Sequence, residues 1–405
     1  VVMQNRMQRR LGQRTGTCFQ RCVGMDAINS MFSVTYEIDQ KHGSEYHARF
    51  VDFVKHMQRE NFVVGGAMTD PKGDRSKAPH EQEDPDLFLR VVERRPDGVV
   101  VRGAKMHQTG CINSHWLLVM PTMRLGEADK DYAICAAIPV DHPNIAYIYG
   151  RQSCDERALG GEIDAGNARF GGQEAMIIFE DVFVPYSHVF MNGEWSFAAS
   201  LVERFTAYHR RSYVCKTGLG DVLIGAAATI AEYNSADKAS HIKDKLVEMT
   251  HLNETIYGAG IASSHESKRT LAGNYQNDEM LANVCKHNVT RYPYEIARLA
   301  QDMAGGLMVT LPSDQDFENP VTKPILEKYL KARPGVSVDN RRRVLRLIEN
   351  MTMGRNAVGY LTESMHGAGS PQAQRIQIAR LADLPGKKKL AEALAGVDAK
   401  EDKKK

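Results

Sequence analysis

Apolar residues change their period twice along the chain. In Glu45–Asn61, Tyr46, Phe50, Val54 and Met57 recur every three or four positions, and residues 1–60 read as helical throughout. From about 87 to 190 the period falls to two. Leu87–Glu93 and Val99–Gly103 alternate as strands on either side of Arg95-Pro96-Asp97-Gly98, a hairpin turn sequence. Trp116–Met120, Tyr132–Ile138, Ile145–Tyr149 and Ala175–Val184 predict further strands. After 195 the helical period returns over Gly218–Glu232, Lys238–Ala262, Glu279–Met303, Pro324–Lys331 and Asn340–Val358. Glycine-bearing breaks are expected at Thr217–Gly220, Ala304–Gly306 and Thr362–Pro371. Residues 62–86 are rich in turn formers and read as one long loop, a length that favours function over simple connection.

The order helices, strands, helices predicts an α+β chain. It has a helical part at 1–62, a β domain at 63–190, a helical bundle at 191–385 and a basic tail at 386–405. No internal repeat is visible. The polar opening Val1-Val-Met-Gln-Asn-Arg has no signal-peptide pattern and reads as the middle of a longer helix.

With 405 residues and 42% hydrophobic content the chain can bury a sizeable core. A net charge of +2 gives no field that would select nucleic acid or a membrane surface. No apolar run reads as long enough to span a bilayer. Seven scattered cysteines, an odd number, do not make a disulfide framework. They suit a reducing, cytoplasmic setting in which thiols stay free for metals or chemistry.

The densest chemistry is His209-Arg-Arg-Ser-Tyr213-Val-Cys215-Lys216, which sets an imidazole, a phenol, a thiol and an ammonium within one short stretch. Val202, Phe205 and Tyr208 supply an apolar stripe before it, so His209 and Tyr213 are expected to share a helical face. Packing alone also accounts for such a face. Far upstream, Cys18-Phe-Gln-Arg-Cys22 is expected in the first helical stretch, with two thiols on one side able to grip a metal or to pack as buried cysteines. In the long loop, Met68-Thr-Asp70-Pro71-Lys72-Gly73-Asp74-Arg75 offers backbone amides and two cations to a phosphate or a flavin ring. His107-Gln108-Thr109-Gly110 crowds polar groups after a strand, and Glu174 opens an apolar strand. Each of these also fits an ordinary turn or a solvated edge.

Taken together these blocks carry a resemblance. Cys18–Cys22, Met68–Arg75, His107–Gly110, Phe170-Gly-Gly-Gln-Glu174, Tyr208-His209, Ala304-Gly305-Gly306-Leu-Met and Thr362-Glu363-Ser-Met-His-Gly-Ala-Gly-Ser-Pro-Gln-Ala-Gln-Arg375 stand in one order over nearly all of the chain. In this the chain resembles the 4-hydroxybutyryl-CoA dehydratase family, which is similar in fold to acyl-CoA dehydrogenases and to flavin-dependent 4-hydroxyphenylacetate hydroxylases. The resemblance implies an acyl-CoA dehydrogenase-like fold, FAD, and a [4Fe-4S] cluster held by Cys18, Cys22, His209 and Cys215. It implies Tyr213, Glu174 and Glu363 near the substrate, with Gln20, Thr109 and Lys216 around them. Met68, Lys72, Asp74, Arg75, His107, Gln108, Thr109, Gly305 and Gly306 would serve the flavin. An acyl-CoA substrate and a homotetramer built as a dimer of dimers are implied as well. Cys215 follows His209 one position sooner than in the bacterial pattern. On a continuous helix one residue rotates the thiol by about 100°, so either the helix ends near Tyr213 or a distortion compensates.

The implied reaction makes crotonyl-CoA from 4-hydroxybutyryl-CoA. The thioester acidifies C2 but not C3, so transfer of one electron to FAD is needed to loosen the C3 proton. The hydroxyl would leave through a ketyl radical, with the cluster as Lewis acid and not as an electron wire. His209 is a candidate base, and Tyr213 and Glu174 are candidates to pass protons to the leaving hydroxide. Isomerisation of vinylacetyl-CoA would need only the proton steps. Two alternatives stand: a flavin-dependent aromatic hydroxylase with no cluster, and a non-enzymatic iron–sulfur or zinc protein in which the four ligands staple two helical regions.

Overall fold

The structure is a computed structural model and describes residues 1–150, 161–166, 170 and 174–397. Three helices open it, α1 (Val2–Thr15), α2 (Cys22–His42) and α3 (Tyr46–Arg59). Eight strands follow: β1 (Val64–Ala67), β2 (Arg90–Arg94), β3 (Gly98–Thr109), β4 (Trp116–Val119), β5 (Ile134–Pro139), β6 (Ile145–Tyr149), β7 (Glu174–Pro185) and β8 (Val189–Asn192). The short α4 (Glu162–Ala165) lies between β6 and β7.

The strands form two sheets, ordered β1-β4-β5-β8 and β2-β3-β7-β6. Among the described residues only the β1–β4 strand pair is parallel. The period of two explains how they pack. Leu117, Val119, Ile134 and Ala136 share a core with Val99, Val101, Ile177 and Phe179 of the other sheet. Their neighbours Leu118, Cys135 and Ala137 point the other way and pack with Met31, Phe50 and Phe53 of α2 and α3. The first sheet is thus covered on both faces. The predicted hairpin joins β2 to β3, with Arg95 N–H bonded to Gly98 O at 2.9 Å.

The residues expected as one long loop contain β1. Gly65 and Gly66 hide it from a propensity reading, but close packing explains them. A Cβ on Gly66 would sit 2.4 Å from Val23 Cγ1, and one on Gly24 would sit 1.9 Å from Val64 O. Helix α2 therefore crosses β1 at backbone contact, which fixes the start of α2 and the chain just before it.

The rest is helical: α5 (Ala198–Ser212), α6 (Cys215–Tyr233) and α7 (Ser240–His265), then a small hairpin of β9 (Lys268–Arg269) and β10 (Tyr275–Gln276). After it come α8 (Glu279–Val289), α9 (Tyr292–Ala304), α10 (Leu307–Thr310), α11 (Asp314–Glu318), α12 (Lys323–Tyr329), α13 (Val338–Thr352) and α14 (Arg355–Ala357). A π-helical turn over Val358–Thr362 leads into α15 (Glu363–His366), α16 (Pro371–Leu381) and α17 (Leu384–Ala395). Leu219, Leu223, Ile230, Ile296, Ala300, Leu345 and Ile348 build the core of this bundle.

Four expectations are corrected here. The helix expected over Glu279–Met303 breaks at Thr290-Arg291, because Pro293 has no N–H to continue the ladder and instead enters the first turn of α9. The expected break at Thr217–Gly220 lies inside α6. Its glycines serve close approach, since a Cβ on Gly218 would lie 2.1 Å from Arg9 O of α1. Cys18 and Cys22 do not share a helix, because α1 ends at Gly16 in the left-handed region and Thr17–Arg21 forms a loop. Residues 195–233 hold a stretch long and apolar enough by composition to span a membrane, but 67% of that stretch is buried within the protein, and a turn interrupts 195–233 at Tyr213-Val214. In the basic tail, 398–405 lie outside the described residues, as do Cys154 and 171–173 of the Phe170–Glu174 motif.

Candidate active site

Three segments with irregular backbone converge between the helical parts and the β sheets. The first is the loop Thr17–Arg21. Thr17 Oγ1 donates to Asn356 Oδ1 at 3.0 Å, which ties the loop to α14. Gln20 adopts a left-handed conformation with φ 54°, rare for a residue with a Cβ. Cys18 is carried on this loop, and Cys22 begins α2.

The second segment joins α5 to α6. His209 lies in the last turn of α5, Tyr213 and Val214 turn the chain, and Cys215 starts α6. Lys216 N–H and Thr217 N–H bond Tyr213 O and Val214 O at 3.0 Å, three residues back rather than four. The helix thus ends near Tyr213, one of the two expected remedies for the short His209–Cys215 spacing. The Cys18 and Cys215 thiols are hydrogen-bonded to each other, and this contact, with burial next, raises the Cys18 thiol well above its usual range. Burial, then the nearby Cys18, does the same to Cys22. His209 Nδ1 lies 2.9 Å from Asp26 Oδ2. Ligand atoms of Cys22, Asp26 and His209 fall within 4.8 Å of one another. Phe205 stacks on the His209 ring at 5.2 Å, and Tyr213 meets its edge at 5.3 Å.

The third segment is the π turn before Glu363. The buried Lys216 ammonium donates to Gly359 O in that turn at 2.5 Å and lies 3.6 Å from Glu363 Oε2. Burial alone would lower Lys216, but the Cys18 thiol and the Glu363 carboxylate outweigh it and raise it well above its usual value. Burial, then Glu363, likewise raises the Tyr213 phenol. Gly367 passes directly over that phenol, and a Cβ there would lie 1.8 Å from Tyr213 Oη.

Glu174 faces these segments from the first position of β7. Its Oε1 accepts from Gln20 Nε2 at 3.2 Å, and its Oε2 from Thr109 Oγ1 at 2.6 Å. Thr109 ends β3 and stands in register with Glu174, so the sheet sets this pair. Burial, reinforced by the charge of Glu363, pushes the Glu174 carboxyl up to about 8. Cys18, Gln20, Glu174, Gly359 and Glu363 line one narrow cleft.

The donor set suits an iron–sulfur cluster. Cys18, Cys22 and Cys215 are buried and unbridged. Such clusters are held by soft thiolates, and an imidazole can stand in for a thiolate. Glu363 Oε2 is a buried oxygen with no hydrogen-bond donor among the described residues, and it lies 3.6 Å from the Lys216 ammonium.

The residues expected to serve a flavin are only partly gathered. Met68 N–H donates to Gln108 Oε1 at 3.3 Å, and Gln108 Nε2 donates to Thr69 O at 3.2 Å. His107 sits in a bulge of β3 with φ 55°, where burial, then Lys72 and His366, lowers its pKa. Lys72, Asp74 and Arg75 are exposed on the loop after β1, with Asp74 engaged by Ser76. Gly305 and Gly306 lie elsewhere, at the exposed end of α9, with no heavy atom within 4 Å of a Cβ built on either.

Sequence reasoning missed Asp26 and two buried lysines. Lys105 bonds Asp70 at 2.6 Å and Met68 O at 2.9 Å, locking the loop after β1. Lys286 of α8 lies 4.4 Å over the Tyr213 ring and donates to Ser364 O. The available signals were Lys286 beside Ala282 and Val289 on one helix face, Lys105 in phase with Val99 and Val101 on a strand, and Asp26 one turn after Cys22.

Comparison with known proteins places these features in context. Family profiles described as 4-hydroxyphenylacetate 3-hydroxylase, N terminal and C terminal, match residues 1–191 and 198–396. The 4-hydroxybutyryl-CoA dehydratase/vinylacetyl-CoA-Δ-isomerase of Clostridium aminobutyricum is 58% identical over 403 residues, 97% of this chain and 82% of that protein. An oxygen-tolerant archaeal 4-hydroxybutyryl-CoA dehydratase from N. maritimus superposes with a TM-score of 0.96 at 69% identity, covering 98% of this chain and 80% of that one. The oxygenase component of 4-hydroxyphenylacetate 3-monooxygenase, complexed with FAD, superposes at 0.83 with 21% identity over 96% and 81% of the two chains. Butyryl-CoA dehydrogenase from Megasphaera elsdenii superposes at 0.50 with 13% identity over 86% and 74%. The last two bear on the fold, which is acyl-CoA dehydrogenase-like as expected.

Proposed function

The chain belongs to the 4-hydroxyphenylacetate 3-hydroxylase family and, within it, to the 4-hydroxybutyryl-CoA dehydratase/vinylacetyl-CoA isomerases, and on that premise we propose that it converts 4-hydroxybutyryl-CoA to crotonyl-CoA and isomerises vinylacetyl-CoA. The observation that carries this reading is the meeting of three free thiols and an imidazole with a carboxyl held near pH 8.

In this reading Cys18, Cys22, Cys215 and His209 hold a [4Fe-4S] cluster, and Met68, Lys72, Asp74, Arg75, His107, Gln108 and Thr109 serve FAD, while Gly305 and Gly306, which lie apart from them within one chain, would serve it only from a neighbouring subunit. When bound, FAD supplies one-electron chemistry and the cluster supplies Lewis acidity toward the substrate hydroxyl. The chain's own residues manage the protons and the charge. His209 gives one ring nitrogen to Asp26, which leaves the other to bind iron or to take the C2 proton. Glu174, with its carboxyl near 8, keeps a proton at neutral pH and can deliver it to the departing hydroxide. Gln20 and Thr109 fix the direction of that carboxyl. The Tyr213 phenol stays neutral and offers a second proton. Lys216 balances the thiolate charge and aligns Glu363. A homotetramer of paired dimers and a reducing, cytoplasmic setting complete the proposal, the second supported by the buried free thiols.

The test is anaerobic purification followed by visible spectroscopy, iron and FAD assay, and measurement of crotonyl-CoA. Flavin and iron–sulfur bands together are expected. Flavin alone would point to hydroxylase chemistry, and iron without flavin to a structural staple. Cys18→Ser should lower iron per chain and dehydration together, and full iron content in that variant would remove Cys18 from the ligand set.

A further inference from the structure

The scheme above uses the carboxylate beside the thiols only as the partner of one His209 nitrogen. Asp26 is wholly buried on α2. Its Oδ2 faces His209 Nδ1 at 2.9 Å. Its Oδ1 accepts from Ser212 Oγ at 2.9 Å, from Arg211 Nη2 at 3.4 Å and from Gln4 Nε2 at 3.5 Å. Though close enough to Cys22 to join a metal site, Asp26 already has donors on both oxygens. That is the geometry of a support rather than of a ligand.

We propose that Asp26 is the positioning residue that sets the tautomer of His209. The inference rests on the reading of His209 as a cluster ligand. Paired with the buried Arg211 guanidinium, the Asp26 carboxylate only accepts hydrogen bonds. A neutral imidazole has one N–H, so Nδ1 must carry it, and the lone pair is left on Nε2. Phe205 stacked on one face and Tyr213 at the edge hold the ring plane. A carboxylate behind a metal-binding imidazole also raises the basicity of the nitrogen that binds.

Asp26→Asn tests this at nearly constant shape. Ser212, Arg211 and Gln4 all donate toward Oδ1, so the amide oxygen takes that place and the amide NH2 turns to His209. Nδ1 must then accept, the hydrogen moves to Nε2, and the lone pair needed for iron is lost. Supports of this kind typically contribute about 10- to 100-fold in metal affinity. Asp26→Asn should therefore release iron to a chelator at least about tenfold faster than the unaltered holoenzyme while retaining FAD. Ser212→Ala removes a donor to Oδ1 but keeps the His209 contact, and should release iron within about twofold of the unaltered rate.

Unaltered iron release in Asp26→Asn would overturn the proposal, and so would equal acceleration in both variants, which marks a packing role. His209→Ala separates the two readings. Iron loss there with none in Asp26→Asn defeats the positioning role alone, whereas full iron retention in His209→Ala defeats the ligand reading beneath it. Should the lone Asn variant fail to fold because Arg211 is left unpaired, Asp26→Asn with Arg211→Met removes that charge. Arg211→Met alone is then the reference for the same tenfold comparison.

Discussion

Glu174 gives the sharpest energetic prediction. Its carboxyl rises from an ordinary 4.5 to about 8 on folding because burial and Glu363 disfavour the charged form. At about 1.4 kcal/mol per pH unit this corresponds to about 5 kcal/mol. The sign follows from proton counting. Between pH 4.5 and about 8 the folded protein keeps a proton that the unfolded chain has lost. The stabilisation is complete below 4.5 and disappears as pH rises through about 8. Glu174→Gln mimics the protonated acid and has no such dependence. With about 2.1 cal/mol/K of unfolding entropy per residue, one pH unit is worth about 1.6 °C in a chain of this length. The Tm advantage of Glu174→Gln should therefore widen by about 3 °C between pH 6 and 8, read by calorimetry on matched holoenzymes. The same variant cannot donate a proton, so crotonyl-CoA formation should fall by about 10²- to 10⁴-fold. A Tm difference that stays constant with pH would show that Glu174 is ionised in the folded protein and would refute the argument.

Other substitutions probe the rest of the site. Tyr213→Phe should keep iron and FAD yet lose most turnover, and near-normal activity would make Tyr213 a packing residue. His209→Cys should hold the cluster through a fourth thiolate but form little crotonyl-CoA and isomerise little vinylacetyl-CoA, because the added negative charge and the missing base oppose both steps. A cluster-replete His209→Cys enzyme with near-normal turnover would show that the fourth ligand is structural. Gly367→Ala drives a methyl into Tyr213 Oη and should cost about 1–3 kcal/mol of stability as well as activity, measured by denaturant midpoint and turnover. An unchanged midpoint would mean that the Gly367 backbone yields freely.

The broad architecture was legible because its physics is periodic. Alternation marked the strands around Val99 and Ile177, since both sheets bury alternate residues. The three- and four-residue spacing marked the helices around Phe50 and Leu345. Strand β1 escaped because Gly66 is selected by the approach of α2 and Gly65 by the approach of Ser114 and Cys111, both tertiary facts. The cysteine positions were visible, but the i, i+4 geometry inferred for Cys18 and Cys22 was wrong. Their thiols are set by a loop that Thr17 and Gln20 tie down from opposite sides. The raised carboxyl of Glu174 depends on Glu363, a neighbour that only folding supplies.

These misses share a cause. Gln20 is left-handed, the chain between His209 and Cys215 tightens to three-residue bonds, and Val358–Thr362 widen to a π turn. Each departure from regular backbone turns a polar side chain inward, and each is secured by partners from another segment. Glu174 receives Gln20, Cys18 meets Cys215, and Lys216 caps Gly359 O in the widened turn. The left-handed backbone at Gln20 costs on the order of 1–3 kcal/mol and persists only where its surroundings over-determine it. The three segments therefore act as one unit. Shortening the His209–Cys215 link is tolerable because α5 stops at Ser212 and α6 restarts at Cys215, which brings the thiol back toward Cys18. A sequence pattern reads the period of each helix, but the site is made where those periods fail.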